Sequence, residues 1–236
     1  MKLLAFETAT EACSVALYVD GQVRERFEIA PRRHAELSLP WAEQLLAEAG
    51  IARSQLDGIA LGRGPGAFTG VRLAIAIAQG IALALDRPLV PVSTLQVLAM
   101  RAPSSAPRVL ASIDARMGEV YAAHFVRDGE GGLEPQGAEV VIAPDALPIP
   151  AETAGWAGVG TGFAAVEGLL ATRLQASLSS LDAGALPHAS DVLRIAVPVL
   201  QRGGGIAPEL VQPAYLRDNV ALTLIEQQAL RAAKGD

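Results

Sequence analysis

Between residues 62 and 72 the chain reads Gly62-Arg63-Gly64-Pro65-Gly66-Ala67-Phe68-Thr69-Gly70-Val71-Arg72, four glycines and a proline between two apolar runs. Glycine reaches left-handed backbone conformations cheaply and lets another backbone or a phosphate come close. A strand, a tight loop and a helix start bring free N–H groups and the positive end of a helix dipole to one point, which suits an anion. The candidate anion or nucleotide contacts are Arg63, Gly64, Gly66, Thr69 and Gly70. Gly62-x-Gly64-x-x-Ala67 has the form of a dinucleotide-binding turn, but Pro65 sits inside it and the following strand ends at Ser93 rather than an acid. No lysine follows the glycines, so the stretch is not a Walker loop. The competing reading is a structural turn that lets strand and helix pack closely.

Three acids sit at strand ends facing an expected interdomain cleft: Glu7, Glu11 and Asp114. In phosphotransfer such carboxylates hold magnesium or activate a hydroxyl, and otherwise they cap turns. The three histidines, His34, His124 and His188, are far apart and lack ligand spacing, so no metal site is expected. Cys13 falls at a strand start and reads as core. No Ser-His-Asp or Cys-His set stands out, and no catalytic residue is assigned.

Positioning these residues requires the elements around them. Leu3 to Phe6 forms an apolar strand ending at Glu7. Ser14 to Val19 and Val23 to Ile29 flank Asp20-Gly21, a strong hairpin signal, giving a three-stranded meander. Leu37, Trp41 and Leu45 at spacing four define a helix over about His34 to Ala49, which Pro40 should kink or delay. Gly58 to Leu61 is a short buried strand. The helix from about Gly70 to Leu85 is apolar nearly all round and must be covered on more than one side. Leu89 to Val92 is a strand, and Ser93 or Thr94 caps a helix running to about Arg101.

After the linker Ala102 to Pro107 the opening pattern returns. Val109 to Ile113 ends at Asp114 as the first strand ends at Glu7, and Glu119 to Val126 runs back. Glu139 to Ile142 adds a strand, and Gly158 to Gly162 echoes the glycine loop. Ser190 or Asp191 is expected to cap a helix over Val192 to Gln201, and a polar helix to follow Tyr215-Leu216-Arg217-Asp218. The repeat implies an internal duplication, with domains 1–105 and 106–236.

Of 236 residues, 51% are hydrophobic and 19% charged, which excludes disordered and fibrous classes. The net charge of −6 lies in the second half, where nine basic residues face fifteen acidic ones. Such a half should repel nucleic acid. The longest apolar segment, Leu73 to Leu85, is expected to fall short of the ~20 residues of a membrane span. One cysteine and no signal peptide point to a reducing, cytoplasmic setting.

Leu3 to Leu17, the glycine loop, Asp114-Ala115-Arg116-Met117-Gly118-Glu119-Val120-Tyr121 and Tyr215-Leu216-Arg217 together resemble the bacterial TsaB, or YeaZ-type, family of threonylcarbamoyladenosine biosynthesis proteins. The resemblance spans nearly the whole chain. It implies an α/β fold of two RNase-H-like lobes in the actin, sugar kinase and heat-shock ATPase (ASKHA) class. It also implies a non-catalytic subunit that, with the transferase TsaD and the ATPase TsaE, places a threonylcarbamoyl group on adenosine 37 of tRNAs reading codons that begin with adenine. ATP and a metal ion are then expected on the partners, tRNA contact only through the complex, and no cofactor on this chain.

Departures from the catalytic relative fit that division. The relative's two metal-binding histidines lie four apart on a helix, whereas here Ser38 stands four residues after His34. The phosphate-holding turn of ATP-using members carries Asp, glycine and a hydroxyl residue, whereas this turn is Glu7-Thr8-Ala9-Thr10. Glu7 and Ala9 also depart from the Asp-Thr-Ser common in TsaB itself. The first two helices are expected to present Leu37, Trp41, Leu45, Leu73, Ile77 and Ile81 to TsaD, or to a second copy when the chain is alone. A small-molecule kinase or peptidase of the same fold is the alternative; the first needs ATP in the cleft, the second a metal or nucleophile not found in the sequence.

Overall fold

Leu3-Leu4-Ala5-Phe6 has no polar alternation, and a strand of that kind is covered on both faces. In the computed structural model, which describes residues 1–129, 131–148 and 154–217, this run lies in β1 (Lys2–Glu7), the central strand of a five-stranded sheet. β2 (Ala12–Val19) and β3 (Gln22–Ile29) extend it as an antiparallel meander. Asp20 and Gly21 join them with φ of 46° and 97°, the left-handed pair that a two-residue hairpin turn requires. After α1 (His34–Ala49), β4 (Gly58–Gly62) pairs parallel with β1. After α2 (Phe68–Leu85), β5 (Leu89–Val92) pairs parallel with β4. The order is β3-β2-β1-β4-β5.

A short α3 (Thr94–Ala99), capped by the Ser93 hydroxyl on the Gln96 amide, leads through the 102–107 linker into the second sheet. That sheet contains β6 (Arg108–Arg116), β7 (Glu119–Arg127), β8 (Leu133–Pro135), β9 (Val140–Ile142), β10 (Trp156–Val159) and β11 (Leu178–Asp182). Its order, β11-β10-β6-β7-β8 with β9 also on β7, reproduces the first sheet strand for strand, two antiparallel neighbours on one side and two parallel ones on the other. The returning sequence pattern is therefore a returning topology. α4 (Ala165–Leu174) covers one face of this sheet, packing Leu170 and Leu174 near Leu110, Trp156 and Phe163.

The remaining faces are covered by exchange. Leu95, Leu98 and Ala99 of α3 pack on Val109, Ala111, Phe125 and Val159 of the second sheet. In return, α5 (Ala189–Gln201) lays Ala189, Val192, Leu193 and Ala196 on Leu3, Ala5, Ala16 and Val90 of the first. The expected boundary at 105 falls between the sheets, but α5 and Ile206, which bridges to Leu89, cross back to the first sheet. Each lobe thus takes part of its core from the other half of the chain.

Several local expectations change. α1 begins at His34 despite Pro40, so the proline lies inside the helix without delaying it. The start of α5 is capped by neither Ser190 nor Asp191: His188 is the capping position and makes no side-chain cap, and the first amides go instead to the first sheet, Ala189 N to Ser14 Oγ of β2 and Ser190 N to Glu25 of β3. Ser14 Oγ, Ser190 N, Ser190 Oγ and His188 Nδ1 lie 2.7, 3.0, 3.0 and 3.1 Å from its carboxylate. Asp191 instead pairs with Arg101 and Arg194. The strands β8, β10 and β11 and the helix α4 are additions, β10 taking the start of the stretch read as a glycine-loop echo, and the polar helix expected after Asp218 lies outside the described residues.

Burial alone would raise the Glu25 pKa, but hydrogen bonds from His188, Ser190 and Ser14 outweigh it and lower the value from 4.5 to about 2. A depressed carboxylate contributes stability that is present above about pH 4.5 and lost as pH falls towards 2. Glu25→Ala should cost about 1–3 kcal/mol in urea unfolding at neutral pH, because it strands charge-assisted donors at a helix start. Glu25→Gln should flatten the acid limb of the stability curve; an unchanged limb would show that Glu25 does not tie the halves together.

Candidate functional site

The turn after β1 and the glycine loop after β4 meet at the same end of the first sheet because β1 and β4 are parallel neighbours. Their contact leaves no room for side chains. A methyl group on Gly62 would stand 1.9 Å from Glu7 Oε2, one on Gly66 2.3 Å from the Ala9 carbonyl, and one on Gly70 1.9 Å from the Thr8 carbonyl. Hydrogen bonds close the seam: Ala67 N donates to Ala9 O at 2.7 Å and Thr8 Oγ1 to Gly70 O at 2.7 Å. Gly64, at φ 91°, exchanges bonds with Thr94 in both directions.

This geometry separates the candidate anion contacts. The Gly64 amide is spent on Thr94 Oγ1, and the Arg63 amide on Val92 O. The Arg63 guanidinium turns away from the start of α2 into a cavity of about 620 Å³, where it faces Glu139 at 3.7 Å. Gly66, Thr69 and Gly70 line a different and larger cleft of about 1220 Å³ between the lobes. A single cradle built from Arg63, Gly64, Gly66, Thr69 and Gly70 is therefore not assembled, and the structural-turn reading accounts for all the glycines of close approach.

The acids also part company. Glu11 and Asp114 line the large cleft. Glu7 does not: it is 1% exposed, sealed beneath Gly62, and accepts hydrogen bonds from Ala9 N and Thr94 Oγ1. Desolvation raises its pKa from 4.5 to about 7 against the opposing hydrogen bonds. Asp114 accepts from Arg116 N and pairs with the Arg116 guanidinium at 2.9 Å. His34 Nε2 sits 3.0 and 3.2 Å from the carbonyls of Thr10 and Ala12 and is held by backbone. Among the described residues, no group of three His, Cys, Asp or Glu side chains comes together.

Sequence reasoning singled out Tyr215-Leu216-Arg217 without giving it a place in the site. These residues form a strap between the two cavities, since Tyr215 and Leu216 line both. Ala214 N donates to Arg63 O, Tyr215 accepts from Arg72 of α2, and Arg217 pairs with Glu119 at 2.5 Å while reaching the Ala115 carbonyl at 3.3 Å. The strap thus ties the first lobe to the β6–β7 turn. Its sequence signal was its part in the family resemblance.

The candidate interface residues divide by burial. Leu37, Trp41, Leu73, Ile77 and Ile81 are half-buried. Leu45 is fully buried, packed among Leu4, Phe6 and Leu17, and leaves the set because it belongs to the chain's own core. α2 buries Val71, Ala74, Ile75, Ala78 and Ala82, and Gln79 anchors one flank to the Pro208 carbonyl at 2.8 Å. Ala76, Gly80, Leu83 and Ala84 remain exposed, so the helix is covered on fewer sides than its apolarity requires. With 18 residues it is long and apolar enough to cross a membrane by length and composition alone, contrary to expectation, yet 33% of it is buried against the sheet.

Comparison with known proteins agrees with this architecture. The family described as "TsaD: tRNA N6-adenosine threonylcarbamoyltransferase" matches residues 27–224. The tRNA threonylcarbamoyladenosine biosynthesis protein TsaB of Escherichia coli (strain K12) is 43% identical over 226 residues, covering 94% of this chain and 96% of that protein. The TsaB of Haemophilus influenzae is 39% identical over 230 residues, covering 93% and 95%. The solved structure of YeaZ from Pseudomonas aeruginosa superposes with a TM-score of 0.84 at 46% identity, covering 91% of this chain and 99% of that one.

Glu7 provides a direct test of the seam. A carboxyl whose folded pKa is raised contributes stability that is complete below about 4.5 and declines as pH climbs to about 7. That decline amounts to roughly 3 kcal/mol. Glu7→Gln, neutral at every pH, should lose this slope and exceed the parent in stability above pH 7; parallel urea midpoints across the range would refute the burial of a titrating acid there.

Proposed function

The chain belongs to the TsaB family of tRNA threonylcarbamoyladenosine biosynthesis proteins, and from that premise we propose that it acts as a non-catalytic subunit through an uncovered helix face. Its partner is a TsaD-like transferase, joined by a TsaE-like ATPase, and the group transferred goes to adenosine 37 of tRNAs reading codons that begin with adenine. ATP and metal belong to those partners, tRNA is engaged by the assembly, and the setting is the cytoplasm.

The observation that carries this reading is the outward face of α2. Leu73 and Ile77 border Ala76, Gly80 and Ala84 on one side of the helix, where none of the described residues covers them fully. A methyl group on Gly80 would meet nothing within 4 Å among the described residues, so none of them calls for a glycine there. Glycine inside a helix costs about 0.5–1 kcal/mol relative to alanine. Small residues spaced by four allow the backbone of a facing helix to come close, and Leu37 and Trp41 of α1 extend the apolar surface beside them. Alone, the same face favours pairing with a second copy.

Ile77→Glu should weaken assembly with the transferase subunit at least tenfold in sedimentation or calorimetry, since it places a charge in an apolar contact. Undiminished assembly sinks this face as the interface. Gly80→Ala should stabilise the isolated chain by about 0.5–1 kcal/mol while Gly80→Leu blocks assembly. If Gly80→Leu assembles normally, the small-residue face serves another purpose.

A further inference from the structure

At the mouth of the interlobe cleft, cations and exposed rings from three separate parts of the chain come together. The Arg72 guanidinium lies 3.2 Å from the centre of the Phe68 ring and 4.9 Å from that of Tyr215, and it donates to the Tyr215 hydroxyl. Both rings nevertheless stay open to solvent, Phe68 at 63% and Tyr215 at 55%. Across the cleft the β6–β7 turn presents Met117, 83% exposed, beside Arg116. Arg32 is exposed and lines the same cleft. Arg32 and Arg116 hold positive φ, 69° and 64°, a backbone state that such side chains rarely adopt, and Met117 at 57° has the left-handed conformation that the two-residue β6–β7 turn requires.

From these residues we propose that the rim is a docking surface for an unpaired RNA strand, with bases stacking on Phe68 and Tyr215 and phosphates meeting Arg32, Arg72 and Arg116. The proposal rests on the tRNA-modification reading above and names the surface through which this chain would take part. Charge complementarity favours RNA. The chain is acidic overall at −6, yet Arg32, Arg72, Arg116 and Arg217 line this cleft against two acids, Glu11 and Asp114; Arg116 is paired with Asp114 but remains 83% exposed, so its outer edge is open to a phosphate. Every base has a flat face, and aromatic side chains with adjoining arginines bind single strands with little regard to sequence. Arginine already stacked on a ring keeps its remaining donors directed outward, where they fit phosphate oxygens.

The test measures fluorescence anisotropy of a labelled unmodified tRNA transcript, and of an oligonucleotide of its anticodon loop, with the chain alone at ~50 mM salt and with the chain assembled on its transferase subunit. Tyr215→Ala and Arg72→Ala should each weaken binding at least fivefold, and Arg32→Ala should lower the slope of log affinity against log salt by about one. Far-UV circular dichroism and thermal melting of each variant report retained folding. Unchanged affinities overturn the proposal, as does a wild-type chain that binds neither probe in either form. Loss of subunit assembly with RNA affinity intact also overturns it and makes the rim a protein surface. Sedimentation of the wild-type chain with the transferase subunit reads the proposed function separately, because failure to assemble there leaves the RNA measurement on the chain alone to decide the rim.

Discussion

Backbone against backbone at the end of the first sheet is the constraint on which the rest of the structure depends. The turn Glu7-Thr8-Ala9-Thr10 and the loop from Gly62 to Gly70 approach so closely that Gly62, Gly66 and Gly70 each stand where a methyl group would meet an oxygen within 2.3 Å. Once the loop is seated, the start of α2 is determined, and with it the direction in which the helix presents its outer face. The seam also isolates Glu7 from water, so that a carboxyl at a strand end becomes a buried acid that is neutral over much of the usual pH range. Close packing of small residues and a high local cost for charge come from the same geometry.

The second organising feature is the exchange of helices between lobes. Neither sheet completes its core from its own half: α3 serves the second sheet and α5 the first. A carboxylate on β3 then supplies the hydrogen bonds at the start of α5, joining residues more than 160 apart in sequence. The strap at Tyr215 to Arg217 adds a further tie across the cleft. Motion of one lobe relative to the other is therefore linked to the shape of both cavities, since the strap forms a wall of each.

Polar surroundings split the glycine loop, leaving Gly66, Thr69 and Gly70 at the interlobe cleft and taking Arg63 and Gly64 out of it. An anion site needs amides that are free, and here those of Arg63, Gly64 and Ala67 already donate within the chain. It also needs a nearby cation, and the Arg63 guanidinium is directed to Glu139 in the other cavity. The apolar stretch that follows has the opposite character. Its outer face is left with more apolar surface than the described residues cover, which is the physical condition for a protein interface.

Much of the architecture was legible in the residues themselves. Continuous apolar runs marked the strands buried on both faces, Asp20-Gly21 marked the hairpin, and spacing four marked α1, because these signals are local and depend on side-chain period and backbone preference. The repeat of strand, acid and return strand pointed to two lobes. Contacts between distant segments decided the rest. The period that identified Leu45 as part of an apolar face could not tell the face turned to the sheet from the face turned outward, and packing put Leu45 inside. Glu7 and Asp114 occupy equivalent places in the sequence pattern, yet one is sealed and the other lines a cleft, since Gly62 lies over Glu7 whereas the second loop, Gly160 and Gly162, packs on Ser112 and leaves Asp114 at the cleft. The capping of α5 by Glu25, the division of the interlobe space by Tyr215 and the open side of α2 all arise from segments far apart in the chain. Sequence by itself determined the elements of the first lobe, the opening strands of the second and the family; tertiary structure alone decided which residues are buried, paired or left exposed, because burial and charge pairing are set by what folds against a residue rather than by what precedes it.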